Sequence, residues 1–173
     1  MATRQESTRV EAVAGSGRQY LTFMLNGETF AIGILAIKEI IEYGQLTKVP
    51  MMPGFVRGVI NLRGAVVPVV DLQARFGNAP AGVSRRTCIV IIEIEADGEA
   101  QDVGIMVDAV NEVMEIPDSE VEDAPSFGTR IRTDFIRGMG KVDGRFVIIL
   151  DLSCVLALEE LAAVAAAAQQ AVH

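Results

Sequence analysis

The chain has 173 residues, half of them apolar and 22% charged, with a net charge of −8. That length supports one ordinary domain or two small ones sharing a core. The acidic balance argues against a nucleic-acid backbone or an anionic membrane surface as the partner, because both would repel it, and Arg85-Arg86 is the only adjacent basic pair from which a local basic patch could form.

In chain order, residues 1–18 are polar and aperiodic and predict a flexible tail. YLTFML then Asn26-Gly27 predicts a strand and a two-residue hairpin turn, and FAIGILAIKEIIEY (Phe30–Tyr43) a strand, a short crossover and another strand. GVINLRGAVVPVVDL (Gly58–Leu72) reads as two apolar strands joined by a tight turn with Arg63 at its tip. Pro68 has no ladder donor, which predicts an edge or bulged strand. CIVIIEI, with Asp97-Gly98 after it, begins the pattern again. SCVLALEELAAVAAAAQQ is rich in helix formers and predicts a C-terminal α-helix starting near residue 153, capped by Ser153, with an Ala-rich end over 163–173 that is helical or frayed.

The chain is duplicated. FVRGVINLRGAVVPVVDL (Phe55–Leu72) aligns without gaps on FIRGMGKVDGRFVIILDL (Phe135–Leu152), with seven of eighteen positions identical. Phe30–Tyr43 aligns on Val103–Ile116, which matches Glu39 to Glu112 and Glu42 to Glu115. Several short strands per half predict small barrels, and one half alone is too small for a secure core. The expected fold is mainly β: two small barrels from repeat units at about 20–72 and 88–152, packed as one cooperative unit with a groove between them.

The duplication gives Arg63 an internal control. The second half has Asp143-Gly144 where the first has Arg63-Gly64, and aspartate suits a left-handed turn position while arginine does not. If the turns share a backbone type, Arg63 sits against local preference, as functional residues often do. A type I turn with a glycine bulge would leave it unstrained and merely solvated. Glu39, among Ile37, Ile40 and Ile41, is either a solvated position on an amphipathic segment or the partner of Arg63 beside an apolar groove.

A chemical site finds little support. His173 is the only histidine, which excludes Ser-His-Asp and Cys-His catalysis and histidine-based zinc sites. Cys88 and Cys154 form no C-x-x-C and read as buried free thiols. Gly138-Met139-Gly140-Lys141 lacks the length and hydroxyl of a phosphate-binding loop. Asp71 and Asp151 correspond by repeat and could in principle share a proton, but each stands where a helix cap is expected. No metal or cofactor is expected. A signal peptide, a disulfide framework and an uncharged run of membrane-span length are all missing, so a cytoplasmic location is expected.

FMLNGETFAIGILAIKEI, VPMMPGFVRGVINLRGAVVPVVDL and VGIMVDAVNEV resemble the CheW family of bacterial chemotaxis coupling proteins, and the resemblance covers about residues 19–162. With no kinase or receiver motifs beside it, the chain reads as a free-standing adaptor. The resemblance implies two SH3-like five-stranded β-barrels and a scaffold with no enzymatic activity. It would bind the cytoplasmic hairpin tip of chemoreceptors and the regulatory domain of the histidine kinase CheA, as a monomer when free and recruited to membrane receptor arrays. It also implies a receptor-binding site at Glu39, Gly58, Arg63 and Gly64 with Ile34 and Ile37 as an apolar wall, and a further partner contact at Val113. The competing expectation is a sensor with a small-molecule pocket between the barrels.

Overall fold

The computed structural model describes residues 17–44, 46–48, 50, 52–78, 81–96, 98–123 and 135–156. The predicted tail up to residue 16 and most of the predicted C-terminal helix lie outside them. The first half supplies β1 (Gly17–Leu25), β2 (Glu28–Gly33), a 3-10 turn at Ile34–Ala36, β3 (Ile37–Glu42), β4 (Val56–Leu62), β5 (Ala65–Asp71) and the one-turn helix α1 (Leu72–Arg75). The second supplies β6 (Cys88–Ala96), β7 (Glu99–Val107), β8 (Ala109–Pro117), a 3-10 turn at Asp118–Glu120, β9 (Val121–Glu122), β10 (Ile136–Val142), β11 (Arg145–Leu150) and the one-turn helix α2 (Leu152–Val155). Gly17 and Arg18, expected in the tail, open β1.

Among the described residues, three hairpin turns have both central residues at positive φ: Asn26 and Gly27 at 50° and 80°, Arg63 and Gly64 at 51° and 87°, Asp143 and Gly144 at 51° and 78°. This is type I′ geometry, whose twist matches that of the strands it joins.

The strands form two sheets, ordered β3-β6-β7-β5-β4 and β8-β1-β2-β11-β10-β9, in two SH3-like barrels. The sheets do not coincide with the sequence repeats. β6 and β7 of the second half sit between β3 and β5 of the first, and β1 and β2 sit between β8 and β11. The parallel pairs β5–β7 and β2–β11 mark where each half crosses into the other.

The core follows this exchange. One cluster fills the first barrel around Val67, Val69, Ile89, Ile91 and Met106, and another fills the second around Tyr20, Ala31, Ile116, Val147 and Ile149. The largest lies between the sheets and takes Phe23, Phe30, Val70, Ile92, Ile105 and Leu150, among others, from both halves. At this junction the Arg75 guanidinium lies 4.7 Å from the ring centre of Phe55 and 5.2 Å from that of Phe135, its repeat counterpart. Its Nε donates to the Val155 carbonyl, which ties α1 to α2.

Three local expectations are corrected. Pro68 lies on an inner strand, because β5 pairs with both β4 and β7. The fold tolerates it because pairing with β7 begins one residue later, at Val69, and Pro68 faces Val59, whose N–H and C=O both turn away to Thr47. Asp151, not Ser153, caps α2: its carboxylate accepts from the Ser153 N–H at 3.1 Å and hydroxyl at 2.6 Å. Cys88 is half-buried and Cys154 exposed, so neither is a fully buried thiol. Among the described residues, no helix is long and apolar enough to cross a membrane.

Candidate functional site

Arg63 occupies a left-handed position that aspartate fills in the second half, so the backbone does not explain the arginine. Its side chain does. Nη1 and Nη2 donate to the two carboxylate oxygens of Glu39 at 2.8 and 2.9 Å, a bidentate pair. The turn is held by the Gly64 N–H, which donates to the Asn61 side-chain oxygen at 3.1 Å. Glu39 lies on β3 and Arg63 follows β4, the two edges of the five-stranded sheet, so the pair joins those edges across the barrel mouth. Below it, Thr47 and Val59 exchange backbone hydrogen bonds of 2.9 and 2.8 Å.

The hydrogen bonds from Arg63 hold the Glu39 carboxyl below its ordinary range, and Glu39 in turn raises Arg63. Because Arg63 is 77% exposed, the pair is well screened, and its main effect is orientation of the rim. A group with a lowered folded pKa contributes above its unfolded value and loses that contribution as pH falls through the folded one. Arg63→Gln is therefore expected to move the Glu39 midpoint upward in a carboxyl carbon NMR titration. An unmoved midpoint would show that the pair does not form in solution.

The 3-10 turn at Ile34–Ala36 carries the chain from one sheet to the other, so its apolar residues come to the junction between the barrels. There they line a groove of about 600 Å³ with Ile94, Leu150 and Leu152. Leu35 is fully exposed (100%). Arg18 and Arg137 stand on the rim, with Asp151 and Ser153.

The structure separates the residues singled out in the sequence. Glu39, Arg63 and Gly64 meet at the first barrel's mouth. Ile34 lines the groove, whereas Ile37 packs against the shared core. Gly58 serves neither place: a Cβ there would stand 2.9 Å from the Leu46 Cβ and from the Thr47 carbonyl oxygen, so it admits the segment that closes the barrel. Val113 lies on β8 of the other barrel, 53% exposed. Sequence reasoning missed Leu35 and Arg137. For Leu35, the available signal is an unbroken apolar trio, Ile34-Leu35-Ala36, between two strands. Arg137 gives none, because its repeat counterpart Arg57 is bonded to Asp71. Asp71 and Asp151 each cap a helix, which accounts for both carboxylates without a proton-sharing pair.

Comparison with known proteins places this architecture. The CheW-like domain model matches residues 19–160, from β1 past α2. The chain is 33% identical to the chemotaxis protein CheW of Klebsiella aerogenes, over 90% of this chain and 92% of the relative. It is 37% identical to the chemotaxis protein CheW of Bacillus subtilis, over 82% and 88%. Its structure is similar to that of the scaffolding protein TtCheW from Thermoanaerobacter tengcongensis, with a TM-score of 0.73 and 36% identity over 81% of this chain and 92% of that one. The match takes in both sheets and both one-turn helices, and on this evidence the chain belongs to the CheW-like domain family.

Proposed function

We propose that the chain is a non-enzymatic adaptor in bacterial chemotaxis that couples methyl-accepting chemoreceptors to the histidine kinase CheA and so lets receptors control the kinase. The observation that carries this reading is the groove between the barrels, with Leu35 fully exposed beside it. A large apolar side chain left wholly in water at a concave apolar surface suits burial by a partner.

The receptor tip, a helical hairpin, is the occupant that fits. One apolar face of such a helix lies in the groove in the helix-in-groove mode, with Ile34 and Leu35 as wall. Glu39, on β3 directly after the crossover, and Arg63, bonded to it, fix the shape of the neighbouring mouth of the first barrel. The kinase regulatory domain docks on a separate face, so that the adaptor raises the kinase's effective concentration at receptors without catalysis. The free adaptor is a cytoplasmic monomer on this reading and joins membrane arrays through the receptors.

The test is co-sedimentation with receptor-bearing membranes. Burial of one leucine contributes about 1.5–3 kcal/mol, which is about tenfold or more in affinity. Leu35→Glu is expected to lower capture by more than tenfold with an unchanged circular dichroism spectrum, and Arg63→Glu, which sets two carboxylates face to face, to do the same. Full capture by both variants would remove the groove and its rim from the site.

A further inference from the structure

Two arginines that correspond by repeat are used in different ways. Arg57 Nη1 donates to the Asp71 carboxylate at 3.3 Å and to the Ala81 carbonyl at 3.0 Å, and the side chain is mostly buried by these contacts. Arg137, its counterpart on β10, is exposed and lines the groove between the barrels. Among the described residues it makes no hydrogen bond and no ion pair. Asp151, the counterpart of Asp71, acts on Arg137 only through space. Its carboxylate takes the Ser153 hydroxyl at 2.6 Å and the Ser153 N–H at 3.1 Å instead.

The groove is therefore locally positive on an acidic chain. Its charged lining residues are Arg18, Arg137 and Asp151, two cations against one carboxylate, where the whole chain carries −8. Arg18 is only loosely held: its Nε stands 3.9 Å from an Asp118 oxygen, beyond hydrogen-bond reach, with both side chains largely exposed. Most of the other lining side chains are apolar, Ile34, Leu35 and Leu150 among them. A helix face without charge, laid over this surface, would take Arg137 out of water with no counter-charge, which is unfavourable. A basic face would be repelled. A carboxylate at the margin of an apolar face removes both difficulties.

We propose that the groove selects a receptor helix bearing a glutamate or aspartate at the edge of its apolar face, and that Arg137 is the residue that reads it, with Arg18 adding to the field. The inference rests on the adaptor reading and deepens it: Ile34 and Leu35 hold any apolar helix face, whereas Arg137 distinguishes one receptor from another. Charges at the edge of an interface act on partner choice in this way. Guanidinium suits the task because it stays charged and forks onto a carboxylate.

Capture by receptor-bearing membranes, measured over a range of salt concentrations, tests the inference. The receptors are the wild type and variants in which each acidic residue of the hairpin tip is replaced by lysine in turn. Arg137→Glu is expected to lower capture by about tenfold or more, and Arg137→Gln by a smaller factor. Capture of Arg137→Gln is expected to fall less steeply with salt than that of the wild type. Because Arg137 is exposed on β10, both variants are expected to keep the wild-type circular dichroism spectrum and urea midpoint. One receptor charge reversal is expected to lose the wild-type adaptor and to regain capture with Arg137→Glu. Failure of every reversal to restore capture of Arg137→Glu overturns the inference. So does wild-type capture of Arg137→Glu and Arg18→Glu alongside lost capture of Leu35→Glu, a result that leaves the adaptor reading standing. Wild-type protein that no receptor membrane captures overturns both. If sedimentation instead shows wild-type self-association that Arg137→Glu abolishes, the occupant is a second copy of this chain and the inference fails.

Discussion

Expressed separately, residues 1–82 and 83–173 are each expected to lack a cooperative melt, and mixed in equal amounts they are expected to recover the β-sheet spectrum and a single transition. The reason is the strand exchange. The first fragment keeps the hairpins β1–β2 and β4–β5. It loses β6 beside β3, β7 beside β5, and β8 and β11 on either side of β1–β2. An isolated hairpin is marginal in water, and a chain of this size has little core to spare. The largest apolar cluster would also be divided, with Phe23 and Phe30 in one fragment and Ile92, Ile105 and Leu150 in the other. The outcome against this is a first fragment that folds alone as a monomer, its own β1–β2 hairpin taking the place of β6–β7. Sequence opposes that rescue. β2 has six residues where β7 has nine. Thr22, whose hydroxyl donates to the Glu112 carbonyl at 2.9 Å, would have to fill the site of Ile91 in the first barrel's core. The same exchange builds the groove, which is lined by Ile34 and Leu35 of the first half and Ile94 and Leu150 of the second.

What the sequence revealed and what it hid divide by range. Asn26-Gly27 and Asp143-Gly144 announce type I′ turns because the left-handed position selects for those residues locally. The contrast of Arg63 with Asp143 at one repeat position marks Arg63, and Glu39, a charge among isoleucines, is its natural partner; the fold brings them together by joining the two edge strands β3 and β4. The exchange of hairpins was not legible. Each repeat is a complete strand list, and an alignment of the halves is the same whether a hairpin pairs within its own half or across. Pro68 was misjudged because the rule counts donors per strand, whereas the fold needs them per residue. Ser153 stands before a helix-rich run, where a cap is expected, but Asp151 starts the turn two residues earlier and holds Ser153 instead. The groove rests on Leu35 and Arg137, which lie far apart in sequence and meet only because β2 and β10 share a sheet.

The two capping aspartates make a second internal control, and Asp71→Ala is expected to cost far more than Asp151→Ala. Asp71 is buried (2% exposed) and accepts four hydrogen bonds: from the N–H groups of Gln73 at 3.0 Å, Ala74 at 3.3 Å and Ala81 at 2.9 Å, and from Arg57 Nη1 at 3.3 Å. Removing it leaves the buried Ala81 N–H without its acceptor and the half-buried Arg57 without its counter-charge, a loss of about 1–3 kcal/mol for the unsatisfied donor on top of the cap itself. Asp151 is only half-buried and its carboxylate is held by Ser153 and Cys154 of the same turn, so its loss resembles that of an ordinary cap, about 1 kcal/mol. Urea denaturation of both variants reads the difference. For a chain of this length each kcal/mol is about 2–4 °C in Tm, so the two melts should separate clearly. Equal costs would mean that the Arg57 contact adds nothing to capping. The asymmetry has a structural origin. Through the Ala81 N–H, and through Arg57 donating to the Ala81 carbonyl at 3.0 Å, Asp71 fastens the segment that joins the two halves. Among the described residues Asp151 holds only its own turn, and the neighbouring Arg137 lines the groove.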